Sequence, residues 1–140
     1  MFVGPSPLDQ EDFDRLRSEG ITVILSLQTV EDVGEQGIES EETAAKSANL
    51  RFRNVPVADF DALELKQKLP ACVTELKRLL KDGQTVYLHC TAGVSRSPTV
   101  AVAYLHWCLG WPLERALTRM QKARNCCPLP DVVRRAHWSR

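Results

Sequence analysis

One cysteine, Cys90, stands six positions before an arginine, Arg96, in the stretch HCTAGVSRSPT, between an apolar run and a helical one. A helix amino end leaves backbone N–H groups unpaired and carries roughly half a positive charge, so it binds anions. Ala92 and Gly93 are small enough to let the chain curl. The N–H groups of Thr91, Ala92, Gly93, Val94, Ser95 and Arg96 can then line a cup for phosphate oxygens. Arg96 closes the cup, because its planar fork holds two oxygens of one phosphoryl group. Positive surroundings of this kind favour a thiolate, and the thiolate is the nucleophile. Attack on a bound phosphate monoester would give a cysteinyl-phosphate, which water then hydrolyses.

A leaving alkoxide needs a proton from the opposite side of the phosphate. The segment VADFDAL offers Asp59 and Asp61, both following a strand. Ser97 can hydrogen-bond the sulfur and ease its departure, whereas Ser95 first serves loop geometry. His89 is read as a brace for the loop through its ring nitrogens rather than as a base. A lone cysteine is most often structural. The arginine, the small-residue loop and the strand-to-helix setting move Cys90 out of that class.

The elements that must hold these groups alternate. MFVG reads as a short strand, and SPLDQEDFDRLRSEG as a helix capped by Ser6 or Asp9, with Phe13 and Leu16 inward and Gly20 as its stop. The continuous apolar run Thr22–Leu27 is a strand covered on both faces. A polar helix near Glu39–Ala48 leads to a third strand, LRFRNVPV. Leu65, Leu69, Val73, Leu76 and Leu80 recur at helical spacing, with Pro70 a kink or restart point. A buried strand Thr85–His89 precedes the loop, and an all-round apolar helix follows it. Pro112 opens a further helix, and a last helical piece runs from Asp131. This order predicts an α/β fold, a mostly parallel sheet with helices on both faces, with ligands at the carboxyl ends of the strands.

The 140 residues are expected to form a single domain, 1–140, since a chain of this length can bury about 68–70% of its unfolded surface. With 18 basic and 18 acidic residues the chain is balanced, and nucleic acid is not expected as a partner. Glu31, Asp32, Glu35, Glu39, Glu41 and Glu42 form an acidic stretch. Arg115, Arg119, Lys122, Arg124, Arg134, Arg135 and Arg140 face one acid, Asp131. Such runs are solvated faces or, at the basic end, an anion-attracting rim. Five scattered cysteines with no secretory signal point to a reducing compartment, the cytoplasm, with a plastid left open. Neither metal-ligand spacing nor a cofactor motif is present, and no apolar run is long enough to cross a bilayer. A monomer without membrane attachment is expected. The opening MFVGPSP is already strand-like and leaves flanking domains open. Cys72 and Cys108 are assigned to apolar helical faces, and Trp107, Trp111 and Trp138 to packing.

HCTAGVSRS resembles the His-Cys-x5-Arg-Ser/Thr signature of the cysteine-dependent dual-specificity phosphatases, and the likeness extends over nearly the whole chain. It implies the compact protein-tyrosine-phosphatase-like fold and a two-step, metal-independent phosphatase mechanism. Within that family the chain is most similar to the glucan phosphatases of starch and glycogen metabolism, through DFDALELKQKLP, HCTAGV and CCPLPDVVRRA. The register of that match implies Asp59 as general acid, Phe60 as an aromatic wall and Asp61 as a loop brace. It also implies a phosphorylated glucan as substrate, with a phosphoprotein as the alternative. Ser95 departs from the glycine usual in glucan phosphatases, as in protein-directed members. Cys127 stands where some glucan enzymes have phenylalanine.

Overall fold

Four short strands form one fully parallel sheet in the computed structural model, which describes residues 1–139; Arg140 of the basic end lies outside the described residues. They are β1 (Phe2–Gly4), β2 (Val23–Ser26), β3 (Arg51–Asn54) and β4 (Val86–His89), ordered β1-β4-β2-β3. The register sets Gly4, His89, Ser26 and Asn54 level at the carboxyl edge.

Side chains alternate across a strand, so the central β2 serves two cores. Ile24 packs with Phe13 of α1 (Gln10–Ser18) and Ala45 of α3 (Gly37–Ser47) on one face. Val23 and Leu25 point to the other, larger core. There they meet α4 (Ala62–Lys81), α5 (Arg96–Trp107), α6 (Leu113–Ala123) and α7 (Pro130–Arg135). Each fully buried aliphatic side chain contributes about 1.5–3 kcal/mol. The layered α/β architecture expected from the alternation of elements is the one observed.

Several details differ from the sequence reading. Asp9, not Ser6, caps α1 by accepting the Asp12 amide at 3.0 Å. The third strand ends at Asn54, although the Val55 and Val57 amides still reach the Ser26 and Leu27 carbonyls. Pro56 between them has no N–H to continue a ladder. The long helix runs unbroken through Pro70, and its last inward leucine is Leu79, with Leu80 only half-buried. A four-residue helix, α2 (Val30–Val33), was unread because so short a turn has no apolar repeat to betray it. Trp107 stacks on Trp138 with ring centroids 5.0 Å apart, and Trp111 packs against the same core beneath Arg115.

Candidate active site

The sheet places the site. The chain leaves β4 toward α5 on one face and leaves the adjacent β2 toward α3 on the other, so a crevice opens between their carboxyl ends. Cys90 is the first residue past β4, only 3% exposed, and its Sγ lies 3.3 Å from the Ser97 Oγ. Among the described residues, no backbone N–H from Thr91 to Ser95 donates to another protein group. Ser95 occupies the N-cap of α5 without a side-chain cap bond, and its carbonyl accepts from the Thr99 hydroxyl at 2.7 Å. Gly93 has φ +69°, and a Cβ there would sit 2.6 Å from the Gly4 carbonyl carbon. The loop therefore curls against the end of β1, a conformation only glycine fits without strain.

Arg96 is 3% exposed. Its Nη1 donates to Asp32 at 2.9 Å and to the Val57 carbonyl at 2.8 Å. The Nη2 donates to Asp32 at 3.2 Å and to Thr91 Oγ1 at 3.1 Å, and lies 3.4 Å from Asp59. Among the described residues its Nε is buried without a partner. A cavity of about 410 Å³ is lined by Asp59, Phe60, Ser95, Arg96, Cys127 and Leu129. An unpartnered buried donor is costly unless an anion completes it.

The loop after β3 supplies the opposite wall. Asp59 Oδ1 accepts the Phe60 amide at 3.0 Å, and its other oxygen faces Arg96. Phe60 is fully exposed and sits at φ +57°, unusual for a bulky residue. Asp61 borders the same cavity, and it caps α4 by accepting the Glu64 amide at 3.0 Å. The Glu64 carboxylate in turn accepts the Ala58 amide. Of the sequence candidates, Arg96 and Asp59 thus meet in the cavity with Phe60 at its rim, and Cys90 lies buried against Ser97 at the two ends of the loop that carries Arg96.

His89 is fully buried below the loop. Its Nδ1 donates to the Cys90 carbonyl at 2.9 Å, and its Nε2 lies 2.5 Å from a Glu41 carboxylate oxygen. Glu41 and Asp32 belong to the acidic stretch read as a solvated face, and that reading fails at both. Asp32 is drawn in by Arg96, and Glu41 is buried against His89. Arg124 of the basic end likewise donates to the Ala92 and Val3 carbonyls rather than forming a rim. Sequence reasoning also missed Gln28, 2% exposed, which links Ser6 to Thr91 at 3.2 and 3.1 Å. Its signal was available: a polar residue directly after the apolar run Thr22–Leu27, at the end of the strand beside β4. Asp32 was legible as half of a Thr29-x-x-Asp32 capping pair, but not as a partner of Arg96.

Burial opposes charge on Asp32, but the hydrogen bond and charge of Arg96 and the Thr29 amide outweigh it and hold the carboxyl at about 2. Burial likewise opposes charge on Arg96, and Asp32, Cys90 and Asp59 more than restore it. Cys72 is pushed up to about 12 by burial, which makes it an inert core thiol.

The dual specificity phosphatase catalytic domain family matches residues 8–133. Phosphoglucan phosphatase DSP4, amyloplastic, of Castanea sativa is 35% identical over 140 residues, covering 97% of this chain and 37% of its own length. Phosphoglucan phosphatase LSF1, chloroplastic, of Arabidopsis thaliana is 34% identical over 140 residues, covering 99% and 24%. The chain therefore spans about a third and a quarter of these relatives. Among solved structures, human DUSP28 superposes with a TM-score of 0.74 at 21% identity, covering 96% of this chain and 89% of that one. PTPMT1 in complex with PI(5)P gives 0.75 at 22% identity, covering 94% and 84%. These two likenesses concern the fold.

Proposed function

The chain belongs to the dual specificity phosphatase catalytic domain family, and from that premise we propose that it hydrolyses phosphate monoesters through Cys90, with a phosphorylated glucan as its substrate. The observation that carries the chemistry is the buried, unpartnered Nε of Arg96 in the loop that begins with Cys90. The Cys90 sulfur attacks phosphorus in line with the leaving oxygen, forming the S–P bond as the P–O bond breaks. Arg96 and the free amides of Thr91–Ser95 hold the equatorial oxygens. Asp59 gives its proton to the departing alkoxide, then takes one from the water that cleaves the S–P bond. The Ser97 hydroxyl, 3.3 Å from the sulfur, stabilises the thiolate as it leaves. Metal and cofactor have no part in this scheme.

The glucan reading is supported by the two phosphoglucan phosphatases, similar over nearly the whole chain. Phe60, fully exposed beside the cleft, offers a sugar ring an aromatic face. Ser95 favours a second reading, a phosphoprotein substrate. Dual specificity protein phosphatase 12 of Homo sapiens, 32% identical over 112 residues, is in keeping with it. We place the protein as a monomer in a reducing compartment, the cytoplasm or a plastid. No described helix is long and apolar enough to cross a membrane.

The test is initial phosphate release from amylopectin, glycogen, a phosphotyrosine peptide and a phosphothreonine peptide at matched phosphate, with Cys90→Ser as blank. Glucan turnover well above peptide turnover supports the polymer. Peptide turnover alone replaces it with the second reading, and turnover by Cys90→Ser refutes the mechanism.

A further inference from the structure

The Asp32–Arg96 contact joins two elements that the sequence gives no reason to connect, and with the Val57 carbonyl and the Thr91 hydroxyl it leaves one donor of the guanidinium over. Asp32 Oδ2 accepts from Arg96 Nη1 at 2.9 Å, while Oδ1 accepts from Nη2 at 3.2 Å and from the Thr91 hydroxyl at 3.1 Å. The carboxylate is itself tethered at the start of α2, where Oδ2 accepts the Thr29 amide at 2.8 Å and the Thr29 hydroxyl at 3.1 Å. The second Nη1 hydrogen goes to the Val57 carbonyl. What remains is Nε, buried and without a partner among the described residues.

We propose that Asp32 is a positioning residue for the phosphate site: it grips the Nη1–Nη2 edge of Arg96, so that the Nε edge is the one presented to a phosphoryl group. This rests on the reading that Arg96 takes that group. A guanidinium is planar and rigid, so a bidentate carboxylate on the Nη1–Nη2 edge fixes the direction of the free Nε–H before substrate arrives. The alternative role, an internal anion occupying the phosphate position, fits less well. The carboxylate is fixed from α2 by Thr29, and its two oxygens take Nη1 and Nη2 while leaving Nε free. Orientation fixed in advance is binding energy not spent on ordering the side chain.

The test uses inorganic tungstate as a phosphate-shaped probe, titrated calorimetrically into the intact chain. A parallel ¹⁵N spectrum follows the Arg96 Nε–H signal. Asp32→Asn, which keeps the shape but removes the charge, should weaken tungstate about tenfold. It should broaden or move the Nε–H signal while leaving the backbone amide spectrum in place. Thr29→Ala, which loosens the tether and keeps the charge, should weaken tungstate by about two- to threefold. Unchanged or tighter binding in Asp32→Asn overturns the inference, as does a loss accompanied by general change in the amide spectrum. If tungstate does not bind the unaltered chain, the phosphate-site reading falls with it, an outcome distinct from failure at Asp32 alone.

Discussion

Asp59 and Asp61, separated only by Phe60, do different physical work, and substitution should separate them cleanly. Asp59 faces Arg96 across the cleft, so Asp59→Asn should lower kcat for a sugar or alkyl phosphate by about 10²–10⁴-fold. It should change an aryl phosphate, whose leaving group needs little protonation, far less. Asp61 caps α4, so Asp61→Ala should instead cost about 1 kcal/mol of stability with kcat nearly kept. Paired kinetics and denaturant melts decide it, and equal loss of kcat at both positions would undo the assignment. At Asp32 the sign of the pH dependence follows from a carboxyl held at about 2 when folded against an ordinary 3.8. Its contribution is complete above about pH 4 and is lost as pH falls toward 2, on the order of 2 kcal/mol in all. Acid unfolding of Asp32→Asn should therefore start from a lower stability at neutral pH and fall less steeply between pH 4 and 2.

The loop from Cys90 to Arg96 holds its curl because of an element far away in sequence, the end of β1. A Cβ at Gly93 would lie 2.6–2.9 Å from backbone atoms of Gly4 and Pro5, at a φ that side chains rarely adopt. Gly93→Ala should thus shift the loop, cutting kcat/KM by about tenfold or more and lowering stability by about 1–3 kcal/mol. Full activity would show that the loop tolerates the shift. That dependence marks what the sequence could and could not reveal. Cys90, Arg96 and the strand-loop-helix around them were legible because nucleophile, guanidinium and small residues sit within one short stretch. Both faces of β2 were legible from its continuous apolar run. Gln28, Asp32 and Glu41 were not, since each acts through a partner 48 to 64 residues away. Periodicity carries no information about such pairs. The acidic stretch is uniform in composition, yet two of its members are drawn inward, Asp32 by the buried Arg96 guanidinium and Glu41 by the buried His89 ring at the sheet's carboxyl edge.

At the scale of the molecule, the site touches most layers that stabilise the chain: Gly4 from β1, Gln28 and Asp32 after β2, Val57 and Asp59 after β3, and Cys90 between β4 and α5. The two cores share the central strand, with Ile24 in one and Val23 and Leu25 in the other. A structure joined in this way should unfold as one unit, so calorimetry should give a single transition over residues 1–140. An oxyanion that binds only the folded loop should raise that whole transition. At a free concentration of 100 Kd the gain is about 2.7 kcal/mol. For a domain of this size the corresponding rise in Tm is on the order of 10 °C. Arg96→Ala should abolish the rise, because it removes the donor that closes the cup. Cys90→Ser should keep most of it, since the amides and Arg96 remain. A split transition in which only one part responds to tungstate would mean that the cup is not coupled to the outer helical layer.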